Sequence, residues 1–262
     1  MSTTEKMKKH FERVAHVYSD VRNTDSKIIK AIVSHFPPDN VPIDIIDIGC
    51  GTGRYSELIA KHLNSKNSRF FCCDYSGAML LKCRERMDQK FSSPNIHYCR
   101  IDANLMPFPD SCFDALVTFN SIHHFDLDGF IANAARVLRP GGLLSIYTRT
   151  PEQNKRTIWG QHFPQFTERE TRLYQTERLK QAIEEISELQ LKSINTFKHE
   201  RVESPESLLN RARNFHYSTF ALYPEDEFNQ AIGVFSQRLN NISINGKVKH
   251  TAENTLLLVH KA

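Results

Sequence analysis

The chain of 262 residues contains no Cys-x-x-Cys pair, no apolar run of membrane-spanning length, no internal repeat and no low-complexity tract. The first absence removes the commonest zinc and dithiol frameworks, and neither the cysteines nor the 12 histidines show metal-ligand spacing elsewhere. The second removes a transmembrane helix. The opening stretch MSTTEKMKKHFERVAHVY lacks the apolar core of a signal peptide, so a cytoplasmic location is expected. Charge of one sign is also lacking: 34 Lys/Arg stand against 30 Asp/Glu. The excess is evenly spread, with 19 against 16 up to residue 150 and 15 against 14 beyond it. No segment reads as a nucleic-acid-binding stripe, and only a local basic patch is left open. The six cysteines (Cys50, Cys72, Cys73, Cys83, Cys99 and Cys112) all lie in the first half. They read as reduced thiols in or near the core.

What is present is an alternation. Residues 5–19 place Met7, Phe11, Val14 and Val17/Tyr18 on one helical face, and a second helix follows over about 25–36. IDIIDIGC is a continuous, β-branched apolar run, the pattern of a strand buried on both faces. RFFCCD, NIHYCRID, FDALVTFN and LLSIYTRT read as the next four strands, with helices over 54–63, 77–90 and DGFIANAARVL between them, the last closed by RPGG. Strands alternating with helices give βαβ units and a doubly wound, Rossmann-like sheet. Residues 151–190 read as helical and polar. LQLKSINTFKHERV is a sixth strand, helices follow over about 205–217 and 225–240, and TAENTLLLVHK is a seventh strand.

Three glycines fall within five positions, in Gly49-Cys50-Gly51-Thr52-Gly53, between the first strand and a helix. Glycine there permits positive φ and lets a ligand approach the main chain, where the helix start offers N–H groups. The spacing is one residue short of the dinucleotide fingerprint GxGxxG, and no Gly-Lys-Ser/Thr follows as a P-loop requires. Asp74 ends the second strand, 21 positions beyond Gly53, where a carboxylate accepts from both ribose hydroxyls of a nucleoside. Asp102 ends the third strand and Asn120 the fourth. Ligands of open α/β sheets bind at these carboxyl ends.

In IIDIGCGTGRYS, FFCCDYSGAML, IDANLMPFPDSCFD and RVLRPGGLLSI the sequence resembles the class I S-adenosylmethionine-dependent methyltransferases. It is most similar to the type 11 branch that includes the ubiquinone/menaquinone-biosynthesis enzymes, and the resemblance covers about residues 10–150. It implies S-adenosyl-L-methionine as cofactor and S-adenosyl-L-homocysteine as product. Asp47, Gly49, Cys50, Gly51 and Gly53 would line the methionine moiety, and Asp74 would hold the ribose. Tyr75 and Met79 would pack on the adenine, Asp102 and Ala103 would address its edge, and Asn120 would lie below the sulfonium. The leading helix, FERVAHVYSDVR, would bring Tyr18 and Arg22 over the cofactor. The resemblance also implies a seven-stranded, mostly parallel sheet with an antiparallel last strand, N-terminal helices and a helical cap. The expected organisation is 1–40 as N-terminal helices closing over the cofactor, 41–150 as the cofactor-binding core, and 151–262 as the cap or substrate region with the last two strands.

The implied reaction is in-line displacement at an activated methyl group, which requires no metal. His123 and His124 follow the fourth strand, where an acceptor would approach. Each is a candidate general base if that acceptor carries a proton, and a packing histidine otherwise. Trp159 and His162, in RTIWGQHFPQF, form either a substrate lid or a small hydrophobic cluster. Arg211, Arg213, His216 and Tyr217 form either an anion site or a solvated helix face. After the fourth strand the chain reads Asn-Ser-Ile-His, so the Asn/Asp-Pro-Pro-aromatic motif of base-amino methyltransferases is missing. No Pro-Cys dipeptide occurs to serve as a cytosine C5 nucleophile. A small-molecule acceptor is therefore expected, with tRNA or protein as the alternative acceptor and a cofactor-binding module without turnover as the third reading.

Overall fold

The computed structural model describes residues 3–15, 24–38, 41–63, 68–91 and 95–262. Tyr18 and Arg22 lie outside the described residues. The chain divides into two compact units: residues 24–148, 176–195 and 255–262 form one, and residues 1–23, 149–175 and 196–254 form the other.

The first unit is built on the sheet. Its strands are β1 (Asp44–Ile48), β2 (Arg69–Asp74), β3 (Ile96–Arg100), β4 (Phe113–Phe119) and β5 (Leu138–Thr148), joined by the ends of β6 (Leu189–Glu203) and β7 (Val248–Lys261). The strand order is β3-β2-β1-β4-β5-β7-β6. The pairs β1–β2, β1–β4, β2–β3 and β4–β5 are parallel, and β7 runs antiparallel to β5, as the resemblance implied. Ile45, Ile46, Leu116 and Val117 are wholly buried, which is why the central strands read as unbroken apolar runs. The helices of this unit include α2 (Lys27–Val33), α3 (Arg54–Ala60), α4 (Gly77–Lys90) and α5 (Leu127–Val137).

One expectation needs correction. RPGG does not simply close a helix: β5 begins at Leu138 and runs through it, with a register shift between Phe113 and Ala115 of the partner strand. The irregular start is held by charge. Arg139 donates to Asp114 at 2.5 Å and to Asp44 at 2.9 Å, and the Asp44 N–H donates to Asp114 at 2.7 Å. Gly141, at φ +80, supplies the left-handed turn within it.

The second unit is helical and aromatic. It contains α1 (Thr3–Val14), α6 (Pro151–Arg156), α7 (Ile158–His162) and α8 (Phe166–Arg169); α9 (Thr176–Glu184) belongs to the sheet unit. It continues with α10 (Pro205–Arg213), a 3-10 turn over Ser218–Leu222, and α11 (Glu225–Ile242). Its core gathers Trp159, Phe163, Phe166, Phe220 and Phe235 with Leu208 and Leu239. α6 starts at a reciprocal cap in which Thr150 accepts from the Gln153 N–H and the Gln153 side chain accepts from the Thr150 N–H.

In the sheet unit the strand order reverses between β1 and β4. Loops leaving the carboxyl ends of those two strands diverge to opposite faces, and the crevice between them is where open α/β sheets take ligands.

Candidate functional site

The loop from β1 into α3 is shaped by three glycines with φ of +73, +55 and +74 at Gly49, Gly51 and Gly53. They are there for different reasons. A Cβ on Gly49 would stand 2.5 Å from Ser121 Oγ, and one on Gly53 would stand 2.6 Å from Cys83 Sγ. Both are close-packed against the protein itself. A Cβ on Gly51 would meet nothing within 4 Å. The expectation that all three glycines admit a ligand is therefore narrowed: Gly51 faces open space, while Gly49 and Gly53 seat the loop.

The loop hangs from β2. The Cys73 carbonyl accepts from the N–H groups of Gly49 at 2.8 Å and Cys50 at 3.0 Å. The Asp74 carboxylate then accepts from the Gly51 N–H at 2.9 Å and from the Ser76 N–H at 2.8 Å. Burial raises the Asp74 carboxyl to about 6, and the N–H groups of Ser76 and Gly51 pull against that rise. Ser76 in turn caps α4 by accepting from the Met79 N–H.

Asp47, the last acidic residue before the loop, is 1% exposed. Its Oδ2 accepts from Ser56 Oγ at 2.5 Å, and its Oδ1 has no hydrogen-bond partner among the described residues. Burial pushes its carboxyl up to about 8, against the pull of the Ser56 hydroxyl. A buried carboxylate oxygen left over in this way is a polar group with spare hydrogen-bonding capacity.

The β4 end supplies the other wall. Asn120 sits at φ +54, strained for a residue with a side chain, while its N–H donates to the Tyr147 carbonyl at 2.7 Å. Ser121 Oγ bonds Thr118 Oγ1 at 2.7 Å and donates to the Ile48 carbonyl at 3.3 Å, so it fastens the β4 turn to the end of β1. His123 and His124 follow in a 3-10 turn over Ile122–His124, with ring centroids 4.1 Å apart. Asp102 Oδ1 accepts from the Asn104 N–H at 2.9 Å and shapes the turn after β3, beside buried Ala103. Of the two residues expected on the adenine, Tyr75 is 46% exposed and Met79 is buried in the fold at 2%.

Within the sheet unit the structure bonds the glycine loop to Asp74 through Gly51, buries Asp47 against Ser56, and fastens the turn after Asn120 to the end of β1 through Ser121. It also adds Ser56, Cys83 and Ser121, which the sequence did not single out. No local motif marks them, because each acts on a residue distant in the chain. The signal was indirect: a glycine with no room for Cβ implies a neighbour, but the sequence does not say which.

In the helical unit Trp159 is 2% exposed, with His216 at 4.5 Å and Phe235 at 5.1 Å between ring centroids. Its side chain packs in the buried aromatic cluster of this unit, which is the hydrophobic-cluster reading of this stretch. His162 is partly exposed, its carbonyl accepting from Arg238 at 3.1 Å; burial lowers its imidazole, with the Arg238 charge in support. Arg211 is neither an anion site nor a solvated residue. It donates to Glu203 at 2.8 Å, and His250 bonds the same carboxylate at 3.1 Å. Burial works against the Glu203 charge, but His250 and Arg211 outweigh it and hold the carboxyl at about 2. Arg213 pairs with Glu206 at 3.0 Å.

Residues 45–142 match the family model described as a methyltransferase domain. Among curated relatives, a probable tRNA methyltransferase 9B of Homo sapiens is 31% identical over 152 residues, covering 56% of this chain and 29% of that protein. The ubiquinone/menaquinone biosynthesis C-methyltransferase UbiE of Shewanella piezotolerans is 34% identical over 105 residues, covering 39% of this chain and 41% of that protein. The chain therefore spans less than half the length of either. Among solved structures, a putative methyltransferase from Bacillus halodurans superposes with a TM-score of 0.64 at 17% identity, over 91% of this chain and 99% of that one. A geranyl diphosphate methyltransferase in complex with SAM gives 0.56 at 15% identity, over 90% and 84%. At such identities the likeness is one of fold.

Matched domain, strand order and glycine loop agree, and together they support a class I S-adenosylmethionine-dependent methyltransferase domain over residues 45–142. The residues at the β1–β4 crevice fit the cofactor of that class, with an open side at Gly51, a spare buried oxygen on Asp47 and a carboxylate at the β2 end. Among the described residues no helix is long and apolar enough to cross a membrane, and no group of three or more ligating side chains is placed to hold a metal ion.

Proposed function

We propose that this chain transfers a methyl group from S-adenosylmethionine to a small-molecule acceptor. Bound S-adenosylmethionine supplies a methyl group already activated on a sulfonium, so the chain's own work is binding, alignment and exclusion of water. In this reading Gly51 admits the methionine part, Asp47 offers its spare oxygen, and the Asp74 carboxylate accepts from the ribose. Tyr75 and Met79 flank the adenine, while Asp102 and Ala103 address its edge. Asn120, held at positive φ, stands at the sulfonium end. His123 and His124 line the approach from β4 and take a proton only from an acceptor that carries one.

The observation that carries the choice of a small acceptor is the pairing of arginines in the helical unit. Arg156 is bonded to Glu253, Arg169 to Glu227, Arg172 to Glu170, Arg211 to Glu203 and Arg213 to Glu206. Guanidinium groups already engaged with carboxylates do not make the phosphate-binding surface that a nucleic acid requires. The tRNA reading is favoured by one finding, the relative named a probable tRNA methyltransferase 9B.

The test is a transfer assay with methyl-labelled S-adenosylmethionine. Panels of phenols, thiols, amines and carboxylates are run beside unmodified tRNA at two salt concentrations. Label on a small acceptor, insensitive to salt, supports the proposal. Label on tRNA that falls steeply with salt transfers it to the second reading.

A further inference from the structure

We propose that Cys99 and Cys73 form a peroxide-sensitive thiol pair, and that its oxidation to a disulfide loosens the cofactor loop. The pair follows from the sheet. Cys73 on β2 and Cys99 on β3 are direct register partners in a parallel ladder, so their side chains leave the same face. Phe71 and His97, two residues back on each strand, share that face and stack at 4.6 Å. Neighbouring strands lie about 4.8 Å apart. That falls within the Cα separation of about 4.4–6.8 Å that a disulfide spans.

The two partners differ in access. β3 is the edge of the sheet, and Cys99 on it is partly exposed, whereas Cys73 is wholly buried. The neighbouring Cys73 thiol holds the Cys99 thiol down at about 7, against the burial of the Cys99 sulfur. The proximity of Cys99, with burial, pushes Cys73 far up. An accessible thiol with substantial thiolate character at neutral pH, beside a buried second thiol, is the arrangement of an oxidisable cysteine and its resolving partner.

The chemistry balances with a peroxide as the oxidant. The Cys99 thiolate attacks one oxygen of hydrogen peroxide. The O–O bond breaks, hydroxide leaves and takes up a proton to become water, and Cys99 becomes a sulfenic acid. The Cys73 sulfur then attacks the Cys99 sulfur, the S–O bond breaks, and the departing hydroxide leaves as water with the Cys73 proton. Two thiols and one peroxide become one disulfide and two waters.

The consequence lies in what Cys73 carries. Its carbonyl accepts from the Gly49 and Cys50 N–H groups, and its neighbour Asp74 accepts from Gly51. A bond drawing Cys73 towards β3 moves the point from which the glycine loop is hung. This consequence rests on the reading of that loop as the cofactor cradle; the formation of the bond does not.

The experiment treats the purified full chain with hydrogen peroxide, digests it without reduction and measures S-adenosylhomocysteine affinity by calorimetry before and after. Trypsin separates Cys73 and Cys99 into peptides 70–82 and 91–100. The expected result is a linked pair of these peptides, fragmenting through Cys73, and an affinity about tenfold weaker that dithiothreitol restores. Cys99→Ser, on the exposed edge strand, is expected to abolish both effects, and Cys112→Ser neither. Linkage through Cys72, or over-oxidation of Cys99 without linkage, overturns the thiol pair. So does an unchanged affinity in the linked protein, or a loss that persists in Cys99→Ser. Failure of the reduced chain to bind S-adenosylhomocysteine strikes the cofactor reading and the affinity claim with it, while the linked peptide still reports on the thiols.

Discussion

The Gly51 N–H donates to Asp74 Oδ2 at 2.9 Å, so the residue of the loop that faces open space is bonded to the carboxylate ending the next strand. The first prediction follows. With its carboxyl raised to about 6 by burial, Asp74 is ionised above that pH and accepts well; below it, the proton removes an acceptor. S-adenosylhomocysteine affinity is expected to be flat near pH 7 and to fall as pH drops through 6, by at most about tenfold per unit. Asp74→Ala is expected to lose about 1.5–3 kcal/mol of binding and to flatten that pH dependence. Calorimetry from pH 5 to 8 on both proteins checks it, and an unchanged slope in the variant would show that another group titrates.

The three glycines should separate by what they lose. Gly49→Ala and Gly53→Ala force a Cβ into Ser121 and Cys83 and also strain a positive φ. Each is expected to destabilise the fold by about 2–4 kcal/mol, combining backbone strain with overpacking. Gly51→Ala meets no neighbour and bears only the backbone strain, about 1–2 kcal/mol. Its larger effect is expected on S-adenosylhomocysteine affinity, because the new methyl stands in the open space. Thermal melts set beside titrations distinguish the two behaviours. A Gly51→Ala protein that binds normally would remove Gly51 from the cradle.

Which parts of this were legible in the sequence follows from how local the cause is. The β1 and β4 runs declared themselves because burial on both faces leaves an unbroken apolar string, as at Ile45, Ile46, Leu116 and Val117. The loop and Asp74 were legible because a positive-φ turn and a strand-end carboxylate leave marks at fixed positions. Ser121 and Cys83 were not, since their role is to fill the space that Gly49 and Gly53 leave, and nothing near either residue announces it. Arg211 misled for the same reason: its partner Glu203 lies on another element, so the sequence presented an unassigned cation where the fold has a pair.

Asp47 gives a stability prediction whose sign is fixed by linkage. Its folded carboxyl, at about 8, lies far above that of an unfolded aspartate. Between those values the folded state holds a proton that the unfolded state has released, so stability falls as pH rises through that window. Asp47→Asn keeps the shape and removes the titration. It is expected to be more stable than the parent at pH 8–9, by up to a few kcal/mol, and near parity at pH 4–5. Denaturant melts at the two ends of the range measure this. A difference that does not change with pH would mean that Asp47 is not the titrating group.

Trp159 is the sole tryptophan of the chain, and its surroundings decide what a variant there reports. It packs among His216, Phe220 and Phe235 in the helical unit, 2% exposed. Its emission is expected to be blue-shifted and poorly quenched by acrylamide, with both properties lost together on unfolding. Trp159→Ala opens a cavity in an aromatic core and is expected to cost about 3–5 kcal/mol of stability. Trp159→Phe keeps most of the packing and is expected to leave transfer kinetics close to the parent's once the protein is folded. If Trp159→Phe instead raises KM for the acceptor while its melting temperature holds, the side chain reaches the substrate in a state other than this one, and the packing role is incomplete.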